Sequence, residues 1–187
     1  MEMERRAKRR DDNLRVFTIC SASREDPRLS RDIDPVGSTS AGPGTPKLTV
    51  MKPPADAFTL DTDVRPEDID QLNHVNNAVY LRWMQDVAVA HWTVLAPRPM
   101  QAAMFWVVRR HEIDYLHSAR LGDVVVTHTW VGEEVDGYFE RLAQMNRKKD
   151  NRTLARARSL WAPMDMTTGT RIRIVPDDVR ALFATAH

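Results

Sequence analysis

The stretch "DIDQLNHVNNAVYLRWMQD", Asp68 to Asp86, decides how the chain is read. Its first half gathers Asp68, Asp70, Asn73, His74, Asn76 and Asn77, and its second half is apolar on two faces. Asp, Asn and His collect where helices begin because their side chains accept the orphan amides of the first turn. Asn76 or Asn77 is placed to do this. From there Tyr80, Trp83, Val87, His91 and Val94 recur three or four residues apart, while Leu81, Ala88, Val89, Trp92 and Leu95 add a second stripe. A helix this apolar all round is predicted to be wrapped by other structure. Arg82 and Asp86 stand four apart and are expected to pair on its polar strip. Pro97 and Pro99 are expected to end it.

Outward from the helix the pattern is extended. Upstream, "FTLDTDV" (Phe58 to Val64) alternates apolar and polar residues, as a half-buried strand does, and Pro66 closes it. Downstream come four long strand-like runs, at 104–117, 123–136, 138–149 and 153–165. "DG" at 136 and 137 and "KDN" at 149 to 151 leave only a few residues between neighbours, which favours antiparallel hairpins over helical crossovers. Ala155, Ala157 and Ser159 place a row of small side chains on one face, where a bulky helix can come close. "VPDDVRALF" reads as a short closing helix with Pro176 in its first turn. Strand, long helix and four antiparallel strands make an α+β fold, an antiparallel sheet of five strands curled around one long helix.

Residues 1–50 differ in kind. They hold ten Lys or Arg, eight Asp or Glu and a single aromatic, Phe17, followed by "GSTSAGPGTP", so little apolar area is available to offset chain entropy. They are expected to form a disordered N-terminal extension, and Met51 before "KPP" marks an alternative start for the natural product. The folded domain is expected over 51–187. It carries 17 basic and 18 acidic residues, which gives no electrostatic footprint for nucleic acid. No apolar run reaches the roughly 20 residues of a membrane span, and the chain shows no secretory pattern. The lone Cys20 precludes an internal disulfide. A cytoplasmic setting fits.

Several chemistries compete for the polar loop. Capping explains one or two residues, but Asp70 lies upstream of the first turn. A calcium loop beginning at Asp68 would need Gly at its sixth position and Glu at its twelfth, where this chain has Asn73 and Val79. A hydratase could use a carboxylate and a histidine a few residues apart. A hydrolase of activated acyl groups fits the parts more fully. A helix N-terminus offers unpaired amides and about half a positive charge to an oxyanion, and Asp70 can attack the carbonyl or activate a water from the other side.

The pattern Asp-x-Asp-x-x-x-His-Val-Asn-Asn-x-x-Tyr-x-x-Trp resembles the signature loop of the hotdog-fold thioesterases, in their 4-hydroxybenzoyl-CoA thioesterase-like branch and its plant acyl-ACP relatives. The likeness continues through "HEIDYLHSARLGDVVV" and "MDMTTGTRIRIVPDDVRALF". The resemblance implies that Asp70 is the catalytic carboxylate and that the Asn77 backbone amide polarises the thioester carbonyl. It further implies that His74 takes part in catalysis, with Asn76 and Tyr80 beside the substrate. Leu72 stands where the plant enzymes have a further asparagine, and Asn73 stands where many members have Gly, a change that Asn tolerates at positive φ. No metal or organic cofactor is implied. The substrate would be an acyl-CoA or acyl-ACP, and two subunits would join their sheets side by side as a homodimer or homotetramer. Basic residues Arg109, Arg110, Arg147, Lys148, Lys149, Arg171 and Arg173 are candidates for the coenzyme's phosphates, though a solvated surface explains each as well. A non-catalytic binding module for acyl thioesters would keep the helix and pocket without needing the Asp70 carboxylate.

Overall fold

The computed structural model describes residues 52–184. The expected disordered extension at 1–50 and the alternative start at Met51 lie outside the described residues.

The elements follow in the order β1 (Phe58–Asp63), a short 3-10 turn (Pro66–Asp68), α1 (Asn77–Leu95), α2 (Arg98–Ala103), β2 (Met104–Tyr115), β3 (Val124–Val135), β4 (Tyr138–Arg147), β5 (Arg152–Asp165) and α3 (Asp177–Ala184). The strands form one antiparallel sheet in the order β1-β3-β4-β5-β2. Asp136 and Gly137 turn β3 into β4 with φ of 54° and 70°. Two successive left-handed residues match the twist of the flanking strands, so "DG" sets the register that pairs Val135 with Tyr138.

The pairing explains the row of small residues. Ala157 lies opposite Ala143 on one side and Ile113 on the other, and Ala155 lies opposite Met145 and Tyr115. Ala143, Ala155 and Ala157 are buried in one core cluster with Tyr80, Trp83 and Met84 of α1. Short side chains under the middle of the sheet leave room for the large ones of the helix. A second core lies toward the end of the helix, where Val179 and Phe183 of α3 pack with Met104, Val131 and Phe139. Trp106 stands edge-on to Phe139 and Phe183 there, at 5.2 and 5.8 Å.

Three details differ from the sequence reading. The sheet covers one side of α1 only: Tyr80, Trp83, Val87, Ala88 and His91 are buried, whereas Val94 is 70% exposed and Val89 39%. Apolar residues on two faces therefore do not mean a helix enclosed all round. Arg82 does not pair with Asp86. It reaches back to the buried carboxylate of Asp68, where the Arg65 amide also donates at 3.0 Å. A buried acid to which a backbone amide already donates holds the guanidinium better than an exposed neighbour one turn away. Pro97 and Pro99 do end α1, but they also open α2, because proline fits at a helix start, where no amide donor is required. At the other end Pro176 precedes α3, and its carbonyl accepts from the Val179 and Arg180 amides.

Among the described residues no helix is long and apolar enough to cross a membrane.

Candidate active site

The polar loop is built by its own hydrogen bonds. An isolated bridge pairs Ile69 with Val75. Inside it the Asp70 amide donates to the His74 carbonyl at 2.8 Å, and the Asn73 amide donates to the Asp70 carbonyl at 3.1 Å. Asn73 closes the turn with φ of 59°, the left-handed conformation expected of it. The Asp68 carbonyl accepts from the Asn76 amide at 2.9 Å, and the Ala119 carbonyl accepts from Val75 at 3.0 Å. The loop is thus tied to itself, to the 3-10 turn and to the β2–β3 connection.

Asp70 is half-buried at the centre of this ring. Its Oδ1 accepts from the Leu72 amide at 2.8 Å and the His74 amide at 3.3 Å. Those bonds fix the carboxylate and leave Oδ2 without a donor among the described residues. Asp68, the other member of the pair, has a structural part: it is 1% exposed and clamps Arg82.

The helix start follows the same logic. Asn76 is the cap; its side-chain oxygen accepts from the Ala78 amide at 2.9 Å, and its carbonyl accepts from Val79 at 2.9 Å. The Asn77 amide, the first of the helix, has no acceptor among the described residues. Capping therefore satisfies its neighbours and leaves this N–H, at the positive end of a 19-residue helix, facing outward for an anion.

These groups share a cavity of about 370 Å³, lined by Asp70, Leu72, His74, Asn76, Asn77 and Tyr80 from one side and by Tyr115, His117 and Ser118 from the other. All five predicted site residues lie on it. Tyr80 does so with its ring, since its hydroxyl is taken by the Ala119 amide at 3.0 Å. Burial raises this phenol above its ordinary range against the lowering effect of that amide, so it stays protonated. His74 carries a contact that sequence could not place: its Nε2 lies 3.3 Å from the Arg120 guanidinium. A guanidinium only donates, so Nε2 is the acceptor and the ring proton sits on Nδ1.

The far wall was missed by sequence reasoning. Tyr115 donates through its hydroxyl to the Asn77 carbonyl at 3.1 Å, and His117 Nδ1 lies 2.8 Å from the Thr153 carbonyl. Their segment, "DYLH", reads from sequence as the end of the 104–117 strand run. Which side of that strand meets the helix start depends on the β2–β5 register. Of the basic residues considered for phosphates, Arg147 and Lys149 hold Asp123, Lys148 holds Asp61, Arg110 holds Glu112 and Arg171 lies over the Tyr138 ring.

Comparison with known proteins places this architecture. No curated protein matches the chain. Among solved structures it is similar to a 1,4-dihydroxy-2-naphthoyl-CoA thioesterase from Synechocystis, with 14% identity over 68% of this chain and 96% of that one and a TM-score of 0.59. A thioesterase from Thermus thermophilus, solved with coenzyme A and zinc, is 23% identical over 68% of this chain and 92% of the other, with a TM-score of 0.59. The 12:0-ACP thioesterase from Umbellularia californica is 21% identical over 70% of this chain and 50% of that longer one, with a TM-score of 0.60. At these identities the likeness concerns the fold, the five-stranded hotdog arrangement described above. The sequence itself goes further: residues 64–183, from just after β1 into α3, match the thioesterase-like superfamily, and the chain belongs to it.

Proposed function

We propose that the protein is an acyl-CoA thioesterase, converting an acyl-CoA and water to free acid and coenzyme A. One observation carries the reading. The single first-turn amide that capping leaves without an acceptor, Asn77, opens on the same cavity as a carboxylate held by two backbone amides, Asp70. A thioester carbonyl seated between them would place its oxygen at the amide and its carbon within reach of the carboxylate. The N–H then stabilises the oxyanion as it forms, and Asp70 attacks or activates water. His74 and Asn76 hold the loop, and Tyr80 forms the wall beside the acyl group.

Membership of the superfamily and the coenzyme A bound in the Thermus neighbour support this substrate class; the likeness to a 12:0-ACP thioesterase keeps acyl-ACP as the alternative carrier. The outer edge of β2, last in the sheet order, is free among the described residues to pair with a second copy, so a homodimer or larger homo-oligomer in the cytoplasm completes the proposal.

The purified protein and its Asp70→Ala variant are assayed for thiol release on acyl-CoA and acyl-ACP thioesters of varied chain length and aromaticity. Loss of the carboxylate is expected to lower the rate roughly 100- to 10,000-fold. Equal rates would remove Asp70 from the chemistry. Binding without hydrolysis by either protein would make this a carrier-binding module, and a hydroxylated product would make it a hydratase.

A further inference from the structure

We infer that His117 is the base that activates the hydrolytic water, so that Asp70 is the nucleophile. This rests on the thioesterase reading above and assigns the part that reading left open.

Two imidazoles line the cavity, and their hydrogen bonds give them opposite tautomers. The Thr153 carbonyl can only accept, so the 2.8 Å contact puts a proton on His117 Nδ1, and in the neutral ring the lone pair is then on Nε2. His74 is the reverse, because its Nε2 lone pair is taken by Arg120. His117 is therefore the imidazole with an available base nitrogen. Its position is fixed on both sides: the Leu116 and His117 amides both donate to the Leu154 carbonyl, at 2.8 and 3.0 Å, and Arg147 of β4 holds the adjacent Ser118 carbonyl at 2.8 Å. A base held by its second nitrogen on a backbone carbonyl is the arrangement that sets tautomer and aim in general-base catalysis.

A second base has chemical work to do here. When Asp70 Oδ2 bonds to the thioester carbon, the C–S bond breaks and coenzyme A leaves as thiolate, with the acyl group now joined to Asp70 as a mixed anhydride. An acylated carboxylate cannot deprotonate water. His117 Nε2 takes a proton from the water as its oxygen bonds to the acyl carbon, and the anhydride C–O bond breaks to free the acid and restore the Asp70 carboxylate. The proton held on Nε2 then passes to the thiolate, so thioester and water have become acid and thiol.

The test uses His117→Asn, whose amide N–H can still donate to Thr153 while nothing replaces Nε2, with His117→Ala beside it and melting curves to show that both fold. Lauroyl-CoA and benzoyl-CoA serve as substrates, with rapid-mixing measurement of thiol release. The expected result for His117→Asn is a burst of about one thiol per site, an acyl-Asp70 anhydride that hydroxylamine cleaves to a hydroxamate of the acyl group or of Asp70, and a steady rate lowered roughly 100- to 10,000-fold. Added imidazole should restore part of the rate in His117→Ala. A His117→Asn enzyme as fast as the parent overturns the proposal while leaving the thioesterase reading intact. A slowed variant with neither burst nor adduct also overturns it, making Asp70 the base. A parent protein that hydrolyses no thioester overturns both.

Discussion

The guanidinium of Arg141 donates to Nδ1 of His91 at 3.1 Å beneath the C-terminal part of α1, and the same guanidinium nitrogen also donates to Thr129 Oγ1 at 3.2 Å. Burial, and then the neighbouring positive charge, hold the imidazole down from its ordinary 6.5 to about 4. Between those values the unfolded chain binds a proton at this position that the folded protein refuses. Stability from His91 is accordingly complete above about pH 6.5 and is lost as pH falls toward 4. The slope attributable to one such proton is at most about 1.4 kcal/mol per pH unit. Urea midpoints measured from pH 7 to pH 4 should fall more steeply for the parent than for His91→Gln, which still offers Arg141 an acceptor but does not titrate.

Asp68 should matter for activity without touching the substrate. Its buried carboxylate gathers Arg82 and the Arg65 amide, and its carbonyl anchors the Asn76 cap. Asp68→Ala removes charge-assisted bonds worth roughly 1.5 to 3 kcal/mol each and leaves their donors partly unsatisfied. Chemical denaturation should register a loss of that order, with thioester turnover falling alongside it. Asp86→Ala should change stability by less than about 0.5 kcal/mol, as surface substitutions usually do.

The turn at Asn73 is a backbone requirement. With φ at 59°, Gly should serve as well or slightly better, whereas Val should cost at least about 1 to 2 kcal/mol and disturb the Asp70 carboxylate, because its branched side chain resists the left-handed region. Thermal melts and thiol-release rates of Asn73→Gly and Asn73→Val check both halves of the claim.

Ala157 tests the closeness of helix and sheet. It is 3% exposed, between Ala143 and Ile113 and in the core cluster of Trp83 and Tyr80. Ala157→Leu overfills this space at a cost of roughly 1 to 3 kcal/mol. Because the displaced helix carries Asn77, turnover should drop as well, measurable at a temperature where the variant remains folded.

Features set by neighbouring residues were legible in the sequence. Period-two alternation located the first strand, long extended runs located the other four, "DG" located a hairpin, and the Asp-x-Asp loop with its capping asparagine located the helix start and the positive-φ turn at Asn73. What required tertiary structure was not. The partner of Arg82 lies fourteen residues back, because Asp68 becomes a buried acceptor only after the 3-10 turn folds. Val94 and Trp92 look alike in an apolar stripe, and only the placement of the sheet and of α3 decides which is covered. His117 reads as one more residue of a strand until the pairing with β5 sets its ring against Thr153 and brings it to the cavity.

The ring of bonds through residues 68–77 separates accessibility from motion. Asn73 and Asn76 are exposed, yet their amides, like those of Asp70 and Val75, are each held by a backbone carbonyl close by. In deuterium these amides should therefore exchange slowly, at rates set by opening of the whole loop and not by contact with water. A surface segment would then keep time with the interior, and substrate would meet a mouth already in its working shape.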